Sequence, residues 1–315
     1  MHLNSSPFIT VFTAIHNRAY CIIDLYESLC RQSCVDFEWM VIDDGSTDNI
    51  SDIMQSFIDE GKITIHYSSQ KWQGKHVAIN NGVCKARGEF FFIVDSDDYL
   101  TDDAIEYISR QCHNIKDREE IAGVSGLDID VQGNYVSKFT SSECIECIPL
   151  EIRTNYKVRG DLSEVFRTEV LRNLLFPTIE GERFCSEAVL IARLSKKLYK
   201  LIYYPKVIKV VRYLPDGLSA SIDEIRIRNP RLSMLLYQEL LALEAPLVEK
   251  IKWSVNLWRF FFHTDLNKRE SFYLNKKWRM CAPIGFMLYI KDVLYTLRTH
   301  MTKSSSRSLK SKVNK

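Results

Sequence analysis

The sequence lacks the marks of several protein classes. Its start, MHLNSSPFITVFT, has no basic region followed by a long apolar one, so we expect no secretory signal. No window reaches the roughly 18 uninterrupted apolar residues of a membrane span. The nine cysteines are odd in number and show no framework, which favours a reducing compartment. The lone CxxC at Cys144 and Cys147 has no second pair and does not predict a zinc site. We therefore expect a cytoplasmic protein.

Two further absences limit the function. No G-x-G-x-x-G pattern follows the first predicted strand, which disfavours a dinucleotide-dependent dehydrogenase. The loop after that strand, at 15–18, also lacks the Gly- and Arg-rich pattern expected of a sugar nucleotidyltransferase. The net charge of +2 hides a basic end, because the last 13 residues carry Lys and Arg and no acid. That end is rich in Ser and predicted to be disordered, so nucleic acid is not the expected partner.

Strand and helix patterns alternate through the first half of the chain. Short β-rich runs are predicted at 8–13, 37–42, 63–67 and 90–94. Apolar residues at helical spacing predict helices between and after them, at 20–32, 47–57, 75–87 and 102–112. Strict alternation predicts right-handed βαβ crossovers, hence an α/β fold with a mainly parallel central sheet flanked by helices.

The second half is less regular. Its predicted strands lie at 121–127, 135–139 and 201–213, with an edge strand or loop at 144–149. Its predicted helices lie at 163–174, 186–197, 225–244, 247–262 and 278–299. We place an α/β domain at 1–220, a helical C-terminal extension at 221–300 and a basic, disordered tail at 301–315.

Three carboxylates occupy four residues at the end of the apolar run 90–94. Asp95, Asp97 and Asp98 repel one another there, unless a divalent cation lies between them and an anionic ligand. The alternative is an acidic cap for the next helix. Two other predicted strands also end in polar residues, TAIHNR at 13–18 and DDGS at 43–46. In a parallel sheet all three ends reach the same edge, which favours a ligand crevice over three separate turns and caps.

The order and spacing of five segments resemble the inverting family 2 glycosyltransferases, which have a GT-A fold. The resemblance runs from about residue 9 to about residue 219 and rests on TAIHNRAY (13–20), SLCRQSCVDFEWMVIDDGSTD (28–48), QGKHVAINNG (73–82), GEFFFIVDSDDYL (88–100) and FCSEAVLIARL (184–194). It implies a nucleotide-sugar donor, with a uridine nucleotide favoured.

The resemblance also implies roles for individual residues near the donor. Asp44 matches the acid that accepts a hydrogen bond from the nucleobase, and Thr13 and Asn17 fall where the first loop approaches the nucleoside. Asp95 and Ser96 flank the donor, and Asp97 or Asp98 would hold Mn²⁺ or Mg²⁺ on the diphosphate. Lys75 would reach the donor; the alternative is a solvated helix start.

Inverting transfer needs a carboxylate that takes the proton from the acceptor hydroxyl. Glu187 opens an apolar helix, where the family keeps its base, and Glu182 is the alternative.

The segment LPDGLS at 214–219 has two interpretations. In the family such a segment can fold over the bound donor, but Pro-Asp-Gly also makes an ordinary turn.

The last third is rich in aromatic residues, with Trp253, Trp258 and Phe260 in one predicted helix and Trp278 and Phe286 in another. These helices either cap the catalytic domain or, with the basic tail, lie on an anionic membrane surface at the inner face of the cell membrane.

We expect transfer to a hydroxyl of a glycan or lipid-linked glycan in cell-surface polysaccharide synthesis. The alternatives are a nucleotide-sugar-binding or membrane-associated scaffold without activity, and a sugar nucleotidyltransferase.

Overall fold

The computed structural model describes residues 6–265, 267 and 276–313. Nine strands are present in these residues: β1 Ile9–Ile15, β2 Phe37–Asp44, β3 Ile65–Gln70, β4 Phe90–Ile93, β5 Tyr99–Leu100, β6 Ile121–Asp130, β7 Ile145–Cys147, β8 Leu162–Arg167 and β9 Lys200–Val211. Eleven α-helices accompany them: α1 Ile22–Cys30, α2 Ile50–Glu60, α3 Lys75–Lys85, α4 Ala104–His113, α5 Pro149–Thr154, α6 Thr168–Arg172, α7 Ala188–Lys196, α8 Ile222–Arg228, α9 Pro230–Leu241, α10 Leu247–His263 and α11 Ala282–Val313.

The strands form one mixed sheet in the order β3-β2-β1-β4-β8-β6-β9-β5, and β7 pairs with β9. The first four strands are parallel, as the alternating pattern predicts. β8 then runs antiparallel to both β4 and β6, while β6 and β9 are parallel. The α/β class with a central sheet flanked by helices is confirmed. Its parallel character is confined to β1–β4 and the β6–β9 pair.

The core lies on both faces of the sheet. On one face, Trp39 and Phe92 pack with Leu25 of α1 and Ile105 of α4. Each fully buried side chain of this size contributes roughly 1.5–3 kcal/mol. On the other face α3 packs on β1 and β2. Gly82 permits this approach, because a Cβ there would lie 2.2 Å from a ring carbon of Phe12.

Two predicted elements are wrong. The run 135–139 is not a strand and makes a single bridge, between Tyr135 and Ile129. The segment 163–174 is not one helix, because its first part is β8 and only Thr168–Arg172 is helical. β8 is a strand because it fills the gap between β4 and β6, with Val165 paired to Phe92 on one side and to Val124 on the other. Tertiary pairing there outweighs local helix propensity.

The chain divides into two compact units, the first ending at Ile225 and the second beginning at Arg226. Residue 220, where we placed the boundary, lies near this division. In the second unit Trp258 packs with Trp278 and donates its indole N–H to the Trp278 carbonyl at 2.9 Å.

α11 departs from the sequence expectations in two ways. Residues 301–313, predicted to be disordered, continue the helix. These residues lack Gly and Pro, and Lys, Arg and Leu favour helix; residues 314 and 315 lie outside the described chain. In addition, the 20 residues Trp278–Leu297 are long and apolar enough to cross a membrane by length and composition, and 11% of that stretch is buried. The interrupting charges at Arg279, Lys291 and Asp292 explain why no uninterrupted apolar run is visible.

Candidate active site

Lys75 joins two acids that the sequence places in the site. Its ammonium lies 2.5 Å from Oδ1 of Asp95 and 2.7 Å from Oε1 of Glu187. The three residues come from the first turn of α3, the loop after β4 and the residue that precedes α7. Burial alone would lower the pKa of Lys75, but the two carboxylates outweigh it and raise that pKa above its ordinary value. Lys75 is therefore a charged bridge and not a solvated helix start.

Gly74 makes this bridge possible by letting two backbones approach closely. Its φ of +103° is a conformation that favours glycine, and a Cβ there would lie 1.9 Å from the carbonyl oxygen of Arg183. The segment that leads to Glu187 therefore packs directly against the start of α3. Trp72, two residues before Gly74, stacks on His16 with ring centroids 5.0 Å apart and has the Arg183 guanidinium 4.0 Å from its ring centroid.

Asp44 anchors the same loop. It is 3% exposed, and its carboxylate accepts hydrogen bonds from the Gln73 and Gly74 amides and from the Gln70 side chain, at 2.7–2.8 Å. The structure thus gives Asp44 a structural task, that of holding the loop before Lys75. Its implied contact with the nucleobase stays a prediction.

Thr13, within β1, has its side chain in the interior of the protein. It is fully buried, and its hydroxyl accepts a hydrogen bond from the Trp39 indole at 3.0 Å. Its implied place near the nucleoside stays a prediction. Asn17 adopts a left-handed conformation with a φ of +54°. Its side-chain oxygen accepts the Thr47 amide at 2.8 Å, which ties the first loop to the loop after β2.

Asp97 and Asp98 have different environments although they are adjacent. Asp98 is 5% exposed, lies 2.9 Å from the Lys209 ammonium and accepts the Arg212 amide at 3.2 Å. Both of its oxygens thus have protein partners, and its implied role as a metal ligand stays a prediction. It does not cap α4, since Asp103 precedes that helix. Ser96, between Asp95 and Asp97, is buried, and its carbonyl accepts from the Cys21 thiol at 3.7 Å.

A second buried lysine bridges another pair of acids. Lys209 of β9 lies between Asp98 and Asp128, with the Asp128 oxygen at 3.7 Å. Asp128 is fully buried and accepts the Ser163 hydroxyl at 2.5 Å. Burial lowers the pKa of Lys209, but its acidic neighbours raise it above the ordinary value. Sequence reasoning missed both residues. The available signal was a charge inside an apolar strand, in Lys209, and an acid near the end of one, in Asp128.

One acid of the candidate site, Asp97, is suited to bind a divalent cation. Within 6–265, 267 and 276–313, no group of three His, Cys, Asp or Glu side chains is arranged to hold a metal. Asp97 is half-buried, and burial followed by the charges of Asp95 and Asp98 raises the pKa of its carboxyl. A cation would relieve this repulsion, and Mg²⁺ or Mn²⁺ on a diphosphate needs few protein carboxylates. Asp97 therefore fits as the ligand, and Asp95 fits if Lys75 moves away from it.

The segment 214–219 makes a turn and also reaches the first loop, so its two interpretations are compatible. The Gly217 amide donates to the Leu214 carbonyl at 3.0 Å, which is the turn. Asp216 meanwhile pairs with Arg18 and accepts the Tyr20 hydroxyl at 2.9 Å. The segment is therefore positioned beside the loop that carries Asn17.

Comparison with solved structures defines the class of the fold. The chain aligns with S. aureus TarS 1–349 in complex with UDP-GlcNAc at a TM-score of 0.57 and 19% identity, covering 90% of this chain and 80% of that one. It aligns with the mannosyltransferase PcManGT from Pyrobaculum calidifontis, in complex with GDP-Man and Mn²⁺, at 0.56 and 17%, covering 92% and 87%. The fold is that of the GT-A glycosyltransferases.

Sequence comparisons show which family the chain resembles. Residues 10–116 match the model of glycosyl transferase family 2. An uncharacterized glycosyltransferase of Haemophilus influenzae is 28% identical over 56% of this chain and 69% of its own length. The GalNAc(5)-diNAcBac-PP-undecaprenol beta-1,3-glucosyltransferase of Campylobacter jejuni is 28% identical over 65% of each chain. The chain thus spans about two thirds of these relatives. The match at residues 10–116 and these relatives confirm the resemblance to the family 2 glycosyltransferases seen in the sequence.

Proposed function

We propose that this protein is a metal-dependent, inverting glycosyltransferase. It moves a sugar from a nucleotide-diphosphate donor, with a UDP-sugar favoured, to a hydroxyl of a glycan or lipid-linked glycan in cell-surface polysaccharide synthesis. The observation that carries the proposal is the Lys75 bridge, because it places the acid after β4 and the acid before α7 around one ammonium. Support for the donor comes from the UDP-GlcNAc complex of TarS, and support for a lipid-linked acceptor from the Campylobacter relative.

The proposed chemistry divides between Glu187 and Lys75. The Glu187 side chain is 48% exposed, so its carboxylate can meet an acceptor hydroxyl and take its proton. Lys75, released from Asp95, can turn its ammonium toward the leaving diphosphate. A bound Mn²⁺ or Mg²⁺ would neutralise the charge that grows on that diphosphate. The Asp97 side chain would supply the carboxylate that binds this cation. The ion pair between Asp98 and Lys209 fixes the loop that carries Asp97.

A thermal-shift screen of UDP-, GDP- and CDP-sugars, with and without Mn²⁺, tests this function. A ligand that binds only the folded protein raises its midpoint of unfolding. We expect a UDP-sugar to raise the midpoint, and to raise it more with Mn²⁺. A protein that none of these donors stabilises would refute the proposal. Binding without sugar transfer would favour the scaffold alternative, and a pyrophosphate-forming reaction from a sugar phosphate and UTP would favour the nucleotidyltransferase.

We also propose that the second unit contacts an anionic membrane surface. Apolar side chains of α11 are exposed, among them Met287 at 64% and Leu294 at 52%. Asp292 is the one acid in the sequence of α11, and it is buried against α10, where Arg259 pairs with both its oxygens at 2.6 and 2.8 Å. The basic residues of the tail follow on the same helix, which supplies the charge that anionic lipid attracts.

Co-flotation with vesicles of phosphatidylcholine and phosphatidylserine tests this contact. The wild type is expected to float with the mixed vesicles and to dissociate in high salt. The double variant Met287→Ser and Leu294→Ser is expected to stay behind. Val35→Ser, which changes an even more exposed apolar residue of the first unit, serves as the control. Resistance to high salt would indicate a spanning helix instead, and flotation of the double variant would contradict the proposed surface.

A further inference from the structure

Three residues form a polar row across the sheet beside the candidate base. Glu164 of β8 pairs with Ser125 of β6, and Ser125 pairs in turn with Tyr203 of β9. Directly paired residues on neighbouring strands share a face of the sheet. The residues next to these three along their strands, Val165, Val124 and Ile202, belong to the main core cluster. Successive residues of a strand point to opposite faces of the sheet, so the polar row lies on the face away from that cluster. Ser125, in the middle of the row, has the smallest side chain of the three.

Neither end of this row has a polar partner in the described part of the chain. The Glu164 carboxyl makes no hydrogen bond or ion pair with any residue there, although the side chain is half-buried. The Tyr203 hydroxyl makes none either, although Tyr203 is 1% exposed. In the described part of the chain neither oxygen is among the fully buried atoms without a hydrogen-bond partner, so solvent or a ligand can reach both groups. Two such polar groups side by side, close to the candidate base, can share one ligand that forms hydrogen bonds with both.

The surroundings decide which ligand chemistry fits. Burial raises the pKa of Glu164 to about 8; Arg153 on α5 and Lys209 on β9 oppose the shift, and Asp128 on β6 and Glu187 before α7 add to it. Burial, followed by the influence of Glu164, also raises the pKa of Tyr203. Both groups are therefore neutral at pH 7. A neutral carboxyl and a phenol can each donate and accept a hydrogen bond, which matches a sugar hydroxyl.

We propose that Glu164 and Tyr203 bind hydroxyl groups of an uncharged sugar of the acceptor and so position its reactive hydroxyl at Glu187. This inference rests on the proposed glycosyl transfer and adds the acceptor side of the site. A neutral sugar is favoured over an anionic one, because Glu187 and Asp128 add negative charge near Glu164. The nearby cations are engaged, since Arg153 donates to the carbonyls of Val158 and Gly160 and Lys209 pairs with Asp98. Glu164 acts through the acceptor's position and not on the proton that is transferred.

The test measures the binding of sugar glycosides by saturation-transfer NMR in the presence of UDP and Mn²⁺. The neutral probes are the p-nitrophenyl β-glycosides of glucose, galactose, N-acetylglucosamine and N-acetylgalactosamine. The anionic probe is the p-nitrophenyl β-glycoside of glucuronic acid. Wild type is expected to bind at least one neutral glycoside and not the glucuronide. Glu164→Leu and Tyr203→Phe are expected to weaken that binding about tenfold, the effect of losing one buried hydrogen bond. Tyr204→Phe, the next residue along β9, is on the other face and serves as the control.

Two further readouts separate positioning from folding. Glu164→Gln keeps a donor and an acceptor and is expected to bind as wild type at pH 7. Wild-type binding is expected to weaken as the pH rises from 7 to 9, because Glu164 ionises, while Glu164→Gln shows no such loss. Equal binding by wild type and Glu164→Leu, preference for the glucuronide, or no binding of any glycoside to wild type would overturn the inference. UDP binding, measured in the same samples, reports on the proposed transferase function separately.

Discussion

The ammonium of Lys75 lies 2.7 Å from the carboxylate of Glu187, a residue far along the chain that immediately precedes α7. The same ammonium is 2.5 Å from Asp95. One cation thus pairs with both acids. A donor diphosphate carries negative charge of its own and can attract Lys75 away from Asp95. We infer that Lys75 serves the acids in one state and the donor in the other.

Replacement of Lys75 tests that double role. Lys75→Met is expected to reduce the rate of transfer by about 100-fold, the scale of losing one group that stabilises developing charge. Lys75→Arg keeps the charge and is expected to lose less. The rate of UDP release under saturating donor is the measurement. Lys71→Met, at an exposed lysine nearby, is the control, and a Lys75→Met enzyme with wild-type turnover would remove Lys75 from the mechanism.

The neighbouring acids Asp97 and Asp98 are expected to respond differently to the same substitution. Asp97→Asn should abolish the Mn²⁺ dependence of UDP binding, measured by calorimetry, with little change in stability. Asp98→Asn should keep that dependence but destabilise the fold by about 3 kcal/mol, because it breaks a buried pair with Lys209. The reverse pattern would show that Asp98 is the metal ligand after all.

Gly74 is expected to tolerate no side chain. Gly74→Ala combines a φ of +103° with a clash against the Arg183 backbone, so it should lower the midpoint of unfolding and disrupt the Lys75 bridge. Gly61→Ala is the matched control, because Gly61 also has a positive φ, of +64°, but nothing lies within 4 Å of its Cβ position. Similar losses of stability in the two variants would mean that backbone strain alone matters at Gly74.

His76 is expected to make the fold sensitive to acid. It is 2% exposed, and neither ring nitrogen has a hydrogen-bond partner among the residues that the structure describes. Burial lowers its pKa to about 4, and Asp44 only partly opposes this. The unfolded chain, where histidine titrates near 6.5, therefore binds more protons between those values, and stability is lost as the pH falls from about 6.5 toward 4.

Thermal unfolding of wild type and His76→Leu at several pH values measures this effect. The difference between the two midpoints is expected to shift in favour of His76→Leu as the pH falls through that window. His113→Leu, at an exposed position on α4, is the control. A difference that stays constant from pH 7 to pH 4 would contradict a neutral, buried His76.

The sequence predicted the parts of the fold that depend on local pattern. The alternation up to α4 and the apolar helix after Glu187 are periodic over many residues, and they appear where expected. β8 was missed because its strand state depends on pairing with β4 and β6, which are far away in sequence. No local pattern distinguishes such a strand from a short helix.

In the candidate site, too, the features that depend on local sequence pattern were predicted and those that depend on distant contacts were not. The acids at 95–98 and Glu187 could be selected from their place at the ends of elements. Lys75 was also selected, as a residue near the donor, but its pairing with these acids was not predicted, and Lys209 was missed. Both pairings depend on contacts between segments that are distant in sequence. Thr13 shows the converse case. It follows the pattern of a loop residue near the ligand, yet its strand turns the hydroxyl inward to Trp39.

The central claim is that Glu187 is the base of a sugar transfer, and Glu187→Gln tests it most directly. The measurement is the rate of UDP release with the donor that stabilises wild type and the acceptor that wild type uses, next to the donor-induced rise of the unfolding midpoint. We predict an unchanged rise and a rate at least about 100-fold lower, the usual contribution of a general base. Glu180→Gln, at an exposed acid in the same segment, should retain both. A Glu187→Gln enzyme that transfers as fast as wild type would contradict the account.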